Sequence, residues 1–259
     1  MLPIERMEKI KQYIDEQGTV TIPELTDVFN VSKATILRDL KKLDEQNLII
    51  RAHGGATKVS KGTRFEPRHV MKEKVAIDKK RRIAKVAKNF IFPGETIMLD
   101  SGSTTLMLAH ELLQMKNLTV ITNDVKIAIT VLDNDDIDLV VLGGQRRKGV
   151  YSLIGPFAEN TLRNLNVDKV FLGADAVDIA KGITNSNIDE TNIKKAMIEI
   201  AQQVILLADS SKFNKVAFTK ITDINALDKI ITDDGLSKKE IKLLEELNVE
   251  LHVVETNDD

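Results

Sequence analysis

Cysteine is missing altogether from this 259-residue chain. That excludes a disulfide framework, thiolate metal ligands and a cysteine nucleophile. Tryptophan is missing too, and aromatic residues make up only 4%. No apolar run approaches the ~20 residues needed to span a bilayer, so no membrane partner is expected. The start, Met1-Leu2-Pro3-Ile4-Glu5-Arg6, lacks the long apolar stretch of a secretory signal, and the cytoplasm is the expected compartment. Neither Gly-x-x-x-x-Gly-Lys nor Gly-x-Gly-x-x-Gly occurs, which disfavours a nucleotide, and there is no Gly-x-Ser-x-Gly elbow. The four histidines, His53, His69, His110 and His252, are scattered without metal-ligand spacing. No metal and no cofactor are expected.

What is present is an ordinary balance of 42% hydrophobic and 29% charged residues, with length enough for one small and one medium domain. Net charge is −2, but it is unevenly spread. From Lys33 to Lys88 there are 17 Lys+Arg against 6 Asp+Glu, a local excess of +11, so the remainder carries −13. A basic band in an acidic chain is the electrostatic footprint of a nucleic-acid reader.

The first sixty residues supply the architecture for one. Met7, Ile10 and Ile14 recur at helical spacing, and Gly18 supplies a stop. Thr21-Ile22-Pro23-Glu24 reads as a capping box opening a short helix, with Leu25, Val28 and Phe29 expected inward. Asn30-Val31 makes a turn, and Ser32 caps a third helix whose buried stripe is Ile36, Leu40 and Leu43. Lys33, Leu37, Arg38 and Lys41 lie off that stripe. Leu48–Arg51 reads as a strand, His53-Gly54-Gly55 as a turn and Ala56–Val59 as the returning strand. The sum is a winged helix-turn-helix, residues 1–60, with double-stranded operator DNA as its partner. Its expected contacts are Ser32, Lys33, Thr35, Leu37, Arg38 and Lys41 from the third helix, and Arg51 and His53 from the wing.

Residues 61–75 read as a basic linker, and a helix builds from about Glu73, with Ile83, Val86, Ala87 and Phe90 along one face. Over 76–259 short apolar runs repeatedly end in small polar residues before a helical stretch. Ile97–Leu99 leads into Asp100-Ser101-Gly102-Ser103-Thr104-Thr105, Val120-Ile121 into Thr122-Asn123-Asp124, and Leu139–Leu142 into Gly143-Gly144. Val170–Leu172 leads into Gly173-Ala174-Asp175, Ile205–Ala208 into Asp209-Ser210-Ser211-Lys212, and Ile230-Ile231 into Thr232-Asp233-Asp234. This alternation predicts an α/β domain with a mostly parallel sheet, whose ligand crevice lies beyond the strand carboxyl ends. All six polar endings are expected there. Asp100–Thr105 is the sharpest of them: Gly102 lets a ligand approach the backbone, the hydroxyls donate, and the following helix N-terminus favours an anion.

Val31-Ser32-Lys33-Ala34-Thr35-Ile36-Leu37-Arg38-Asp39-Leu40 and Arg51-Ala52-His53-Gly54-Gly55-Ala56 resemble the DeoR-type (GlpR-like) family of sugar-metabolism regulators, with Leu37 where that family usually has an Arg. Asp100–Thr105, Thr122-Asn123, Gly143-Gly144, Ser152 to Gly155, Lys194-Lys195-Ala196-Met197 and Asp209–Phe213 are similar to its sensor motifs, so the resemblance covers nearly the whole chain. It implies a ribose-5-phosphate-isomerase-like sensor fold, a phosphorylated sugar or sugar alcohol as effector, self-association as a homodimer or homotetramer, and repression relieved by effector. The effector-binding residues expected are Asp100, Ser101, Gly102, Ser103, Thr104, Thr105, Asn123, Gly144, Asp175, Lys194 and Lys212.

Two other readings share these motifs: an isomerase-like enzyme, and a sugar-phosphate-binding module with no DNA role. The isomerases are associated with Asp-Gly-Ala-Asp-Glu, a Lys-Gly-Gly-Gly turn and a later catalytic Glu. Here the first motif reads Leu172-Gly173-Ala174-Asp175-Ala176, Lys181-Gly182 remains of the second, and Lys194 falls where the base belongs. Moving a proton between carbons needs a positioned base, and a lysine beside a phosphate is ordinarily protonated. No catalytic residue is therefore expected. Lys194 is better suited to holding a phosphate.

Overall fold

Ile10 and Ile14 stand one helical turn apart, and both are fully buried. They belong to the first of two compact units, Met1–Gly62 and Thr63–Asp259. The computed structural model describes residues 2–46, 48–52, 54–58, 62–67, 69–247 and 249–255.

In the first unit, helix α1 (Pro3–Gln17) leads into strand β1 (Thr19–Thr21), helices α2 (Ile22–Phe29) and α3 (Lys33–Glu45), and strands β2 (Ile49–Ala52) and β3 (Gly55–Lys58). The capping box forms as the sequence requires, with the Thr21 hydroxyl accepting from Glu24 N at 3.3 Å and the Glu24 carboxylate accepting from Thr21 N at 3.2 Å. The wing has three antiparallel strands, in the order β1-β3-β2. Its core joins Ile10 and Ile14 to Leu25, Ile36, Leu40 and Ile49. Of the residues of α2 expected inward, Leu25 is buried and Phe29 packs against the core, but Val28 is corrected. Val28 is half exposed, whereas the partly buried Phe29 ring lies edge-on to Tyr13 at 6.1 Å. An eight-residue helix has room to bury little more than one stripe, and Ile22 and Leu25 fill it.

The second unit opens with α4 (His69–Lys74) and α5 (Ile77–Lys88). The single helix expected here is broken at Ala76, whose φ of +53° interrupts the ladder. There follow β4 (Thr96–Leu99), α6 (Ser103–Glu111), β5 (Leu118–Thr122), α7 (Val125–Val131), β6 (Ile137–Val141), β7 (Gln145–Arg146), β8 (Leu153–Ile154), α8 (Pro156–Leu162) and β9 (Val167–Leu172). The chain continues through β10 (Ala176–Asp178), β11 (Gly182–Asn185), α9 (Ile188–Glu199), β12 (Ala201–Leu207), β13 (Thr219–Thr222), β14 (Lys229–Asp233), α10 (Lys238–Glu245) and β15 (Glu250–Val254).

Seven strands form one sheet in the order β15-β14-β12-β9-β4-β5-β6, with every neighbouring pair parallel. Strand residues alternate between two cores. On β4 Met98 belongs to one, while Ile97 and Leu99 belong to the other; on β12 Val204 and Leu206 face Ile205 and Leu207 across the sheet. Apolar runs of this kind mark strands covered on both faces. The smaller sheet β10-β11-β13 is antiparallel.

The strand order carries the functional information. From β4 the chain builds outward through β5 and β6, then returns to β9 on the other side of β4 and builds outward again. The switch point lies between β4 and β9. Crevices in α/β sheets form there, beyond the carboxyl ends of the strands.

Candidate functional site

Helix α3 is held from behind and presents cations in front. Asp39, buried, accepts from Arg6 Nε at 2.6 Å and from Arg6 Nη2 at 3.3 Å, pinning α3 to α1. Ser32 caps the helix, its hydroxyl accepting from Thr35 N at 3.2 Å. Ser32, Lys33, Arg38, Lys41 and the wing residue Arg51 are exposed, and Thr35 is partly so. Lys33, Arg38 and Arg51 make no ion pair among the described residues, while Lys41 meets only Glu45, at 3.8 Å and well exposed. Solvated pairs of that kind contribute little, so all four cations can exchange water for phosphate. Leu37 packs partly onto the core of the unit. His53 lies outside the described residues.

At the switch point a cavity of about 40 Å3 is walled by three strand endings: Ser101–Thr104 after β4, Gly173–Asp175 after β9, and Leu207, Ala208 and Lys212 at the end of β12. Asn185, Glu190 and Lys194 close it on one side. Glu66, His69 and Lys72, from the segment expected as a basic linker, close it on another. Beside it a wider cleft of about 580 Å3 shares Glu66 and Val150 with the cavity and includes Arg64, Arg147, Lys148 and Phe218. The Arg64 guanidinium stacks over the Phe218 ring at 4.0 Å, a cation–π contact.

The cavity walls form an alternating ionic chain. Lys72 Nζ lies 2.7 Å from Glu66 Oε1 and 2.7 Å from Asp175 Oδ1. Glu66 also pairs with Arg147, whose Nε reaches Glu190 Oε1 at 2.9 Å. Burial alone would raise the Asp175 carboxyl, but the charge of Lys72 and hydrogen bonds from Lys72 and Ser186 N outweigh it and hold the group well below the carboxylate range. Burial likewise disfavours a charged Lys72, yet its two carboxylates raise its affinity for the proton. Asp100 accepts from Gly173 N at 2.8 Å and pairs with Lys194, which also donates to Gly173 O at 3.1 Å.

Lys212 differs from the other cations of the cavity. It makes no ion pair among the described residues, and burial followed by the nearby charge of Lys72 pushes its amine down. Next to it the first turn of α6 has no side-chain cap at Gly102, and its first internal bond is Leu106 N to Gly102 O at 2.9 Å. The N–H groups of Ser103, Thr104 and Thr105 therefore have no acceptor within the helix.

Of the expected effector residues, Ser101, Gly102, Ser103, Thr104, Asp175, Lys194 and Lys212 line the cavity. Asp100 sits directly behind, bound to Lys194. Lys194 lines the cavity with its ammonium paired to Asp100. Thr105 turns its hydroxyl back to Gly102 O at 2.9 Å. Asn123 is buried and donates to Leu153 O at 3.2 Å, fastening the β7–β8 hairpin. Gly144 is exposed at the turn after β6, where a Cβ would meet Ile154 O at 2.6 Å. Of the six polar endings, those of β4, β9 and β12 line the cavity itself; that of β5 stands directly behind it, Asp124 accepting from the Ser101 hydroxyl at 2.5 Å, and that of β14 meets the β12 ending, Asp233 accepting from Ser210 N at 2.6 Å. Glu66, His69, Lys72, Asn185 and Glu190 were not legible as site residues, because only the fold brings these distant charges together.

A family model for the DeoR-like helix-turn-helix domain matches residues 6–61, and one for the DeoR C terminal sensor domain matches residues 75–234. The chain is 35% identical over 251 residues to a putative aga operon transcriptional repressor of Escherichia coli O157:H7, covering 96% of this chain and 93% of that protein. It is 35% identical over 245 residues to the HTH-type transcriptional regulator GlpR of Haloferax volcanii, covering 93% and 95%. Among solved structures, ribose 5-phosphate isomerase A from Methanocaldococcus jannaschii is similar with a TM-score of 0.40 and 22% identity, over 53% of this chain and 54% of that one. Both relatives named here are transcription regulators, and so is this chain, which is not an enzyme. With both domain models matched in order and relatives 35% identical over 93% or more of both chains, the chain belongs to the DeoR family of helix-turn-helix transcription regulators.

Proposed function

We propose that the protein is a cytoplasmic repressor of carbohydrate-metabolism genes that releases its operator when a phosphorylated sugar or sugar alcohol binds at the switch-point cavity. Residues 1–60 read DNA and 76–259 sense, while the segment 61–75 that joins them lends Glu66, His69 and Lys72 to the cavity wall. A homodimer or homotetramer presents its copies of α3 to repeated half-sites, with Ser32, Lys33, Thr35, Arg38, Lys41, Arg51 and His53 as contacts. Two relatives carry names that fit this reading, one of them a repressor of an operon.

The observation that carries the sensor half is Lys212, a cation without an ion pair among the described residues, beside the uncapped start of α6. A helix N-terminus and a lysine together favour an anion. The phosphate sits against the N–H groups and hydroxyls of Ser103 and Thr104, and the sugar hydroxyls reach Asp175. At about 40 Å3 the cavity is far smaller than the roughly 300–1,000 Å3 of typical ligand sites. Ligand entry therefore requires the Glu66–Lys72–Asp175 chain to part. The ligand thus favours one arrangement over another, which is the condition for coupling two sites.

The test is a thermal-shift panel of phosphorylated sugars and sugar alcohols on the full chain, each hit then assayed for its effect on binding to DNA from the protein's own upstream region. At least one compound raises the melting temperature and weakens DNA binding, and Lys212→Met abolishes both effects. A panel without a single shift would refute the sensor assignment. Indifference to upstream duplexes at low salt would refute the repressor.

A further inference from the structure

His69 is 3% exposed and forms part of the cavity wall. Its Nδ1 lies 2.8 Å from Glu73 Oε1. The Glu73 carboxylate is fixed in turn by Lys126. The ring stands edge-on to Tyr151, with centroids 5.1 Å apart, and the backbone N–H of His69 donates to Gly149 O at 3.0 Å. The Glu73 carboxylate and the Tyr151 ring thus hold this imidazole in one orientation, on a backbone tied to Gly149. Its other nitrogen, Nε2, is buried and has no hydrogen-bond partner among the described residues. Leaving a buried polar atom unsatisfied costs about 1–3 kcal/mol, and an orphan of this kind calls for an explanation. Because ionised Glu73 can only accept, Nδ1 carries the proton, and in the neutral imidazole Nε2 is then the acceptor.

We propose that His69 is a specificity-determining residue of the sensor, its Nε2 accepting a hydrogen bond from a hydroxyl of the ligand's carbon chain. The inference rests on the phosphate reading given above, and divides recognition in two. The phosphate end meets Lys212 and the start of α6, a site indifferent to what the phosphate is attached to. The polyol end meets His69 and Lys72, both on α4, one turn of helix apart. A site built to hydrogen-bond a hydroxyl discriminates strongly against ligands that lack it, because its own polar atom is then left unpaired. It also explains why α4, in the segment leading out of the DNA-reading unit, contributes to a pocket otherwise made of strand endings.

The experiment titrates the full chain by calorimetry with inorganic phosphate and with three- to six-carbon sugar and polyol phosphates, glycerol 3-phosphate and ribose 5-phosphate among them. Wild type binds at least one of these compounds more tightly than phosphate. His69→Phe keeps the ring against Tyr151 but has no Nε2. It lowers the ratio of sugar-phosphate to phosphate affinity about tenfold, and His69→Gln restores most of it. A His69→Phe protein with the wild-type ratio overturns the proposal while leaving the phosphate site intact. If no phosphorylated compound binds wild type, or Lys212→Met binds phosphate as wild type does, the underlying reading fails first. A second measurement needs no folded variant: with 15N-histidine label, the Nε2 resonance of His69 moves on saturation with the preferred sugar phosphate, and a resonance that stays still overturns the proposal equally.

Discussion

Lys72 and Asp175 are 103 positions apart in sequence and 2.7 Å apart in the fold. Their bridge ties α4 to the loop that ends β9, across the cavity. Both side chains are largely buried, 15% and 12% exposed, where an ion pair is retained only if each partner is well compensated. Glu66 and Ser186 N provide that compensation.

Lys72→Met removes the compensation and leaves two buried carboxylates facing each other's field. We expect a loss of about 3 kcal/mol at pH 6, in the range for breaking one partner of a buried pair. The sign with pH follows from Asp175, whose carboxyl is held below its ordinary value in the folded protein. Its stabilisation is complete above the unfolded pKa of about 3.9 and fades as pH falls through the folded value. Urea unfolding of wild type and variant should therefore show a gap that narrows below pH 4. A gap independent of pH would mean that Lys72 acts through packing alone.

Arg38 is exposed on α3 and makes no ion pair among the described residues, one position from partly buried Leu37. If Arg38 meets a phosphate, Arg38→Gln weakens binding to all sequences and lowers the salt slope by about 0.9. If it meets a base edge, the variant relaxes specificity at one position at a cost of about 1–3 kcal/mol. Leu37→Arg adds a cation where the family usually has one, and should change the preferred operator sequence, read by selection from a random duplex pool. Unchanged preference and affinity would show that Leu37 serves only the core.

Gly55 allows β3 to pass against β1: a Cβ there would lie 2.1 Å from Val20 O. Backbone cannot yield as a flexible side chain would. Gly55→Ala is expected to destabilise the wing by more than the 1–3 kcal/mol typical of overpacking and to abolish operator binding. Sugar-phosphate binding by the second unit should persist, and its loss would show that the wing is needed for more than DNA.

Ala76 sits at φ +53° at the start of α5, a conformation that costs a residue with a Cβ roughly 1–2 kcal/mol. Ala76→Gly removes that cost but gives the unfolded chain more freedom, so a net gain of about 0.5 kcal/mol is expected by chemical denaturation. A loss would place Ala76's methyl group in a packing role.

The strands of the large sheet were legible because strands buried on both faces are written as short apolar runs, and the polar endings at Asp100 and Gly173 announced the crevice. The helix-turn-helix was legible through Thr21, Glu24 and Ser32, whose capping chemistry is local. What stayed hidden was non-local. Val28 fits the helical stripe, but the unit is too small to cover it. Ala176–Asp178 is too short for its period to show. Glu66, His69 and Lys72 lie in a basic stretch whose composition matches a connector, and nothing in the neighbouring residues reveals that Lys72 meets Asp175 and Glu66 meets Arg147.

β6 ends the parallel sheet on one side, pairing with β5 alone among the described strands, and its Val140 and Val141 are 38% and 43% exposed. A border strand of this kind offers free amides and carbonyls to any extended peptide that drifts alongside. Crowded or partly unfolded preparations should therefore clump by strand addition at this margin first. Val141→Lys, which puts a charge on the border and leaves the fold's interior alone, should raise the concentration at which the protein stays clear.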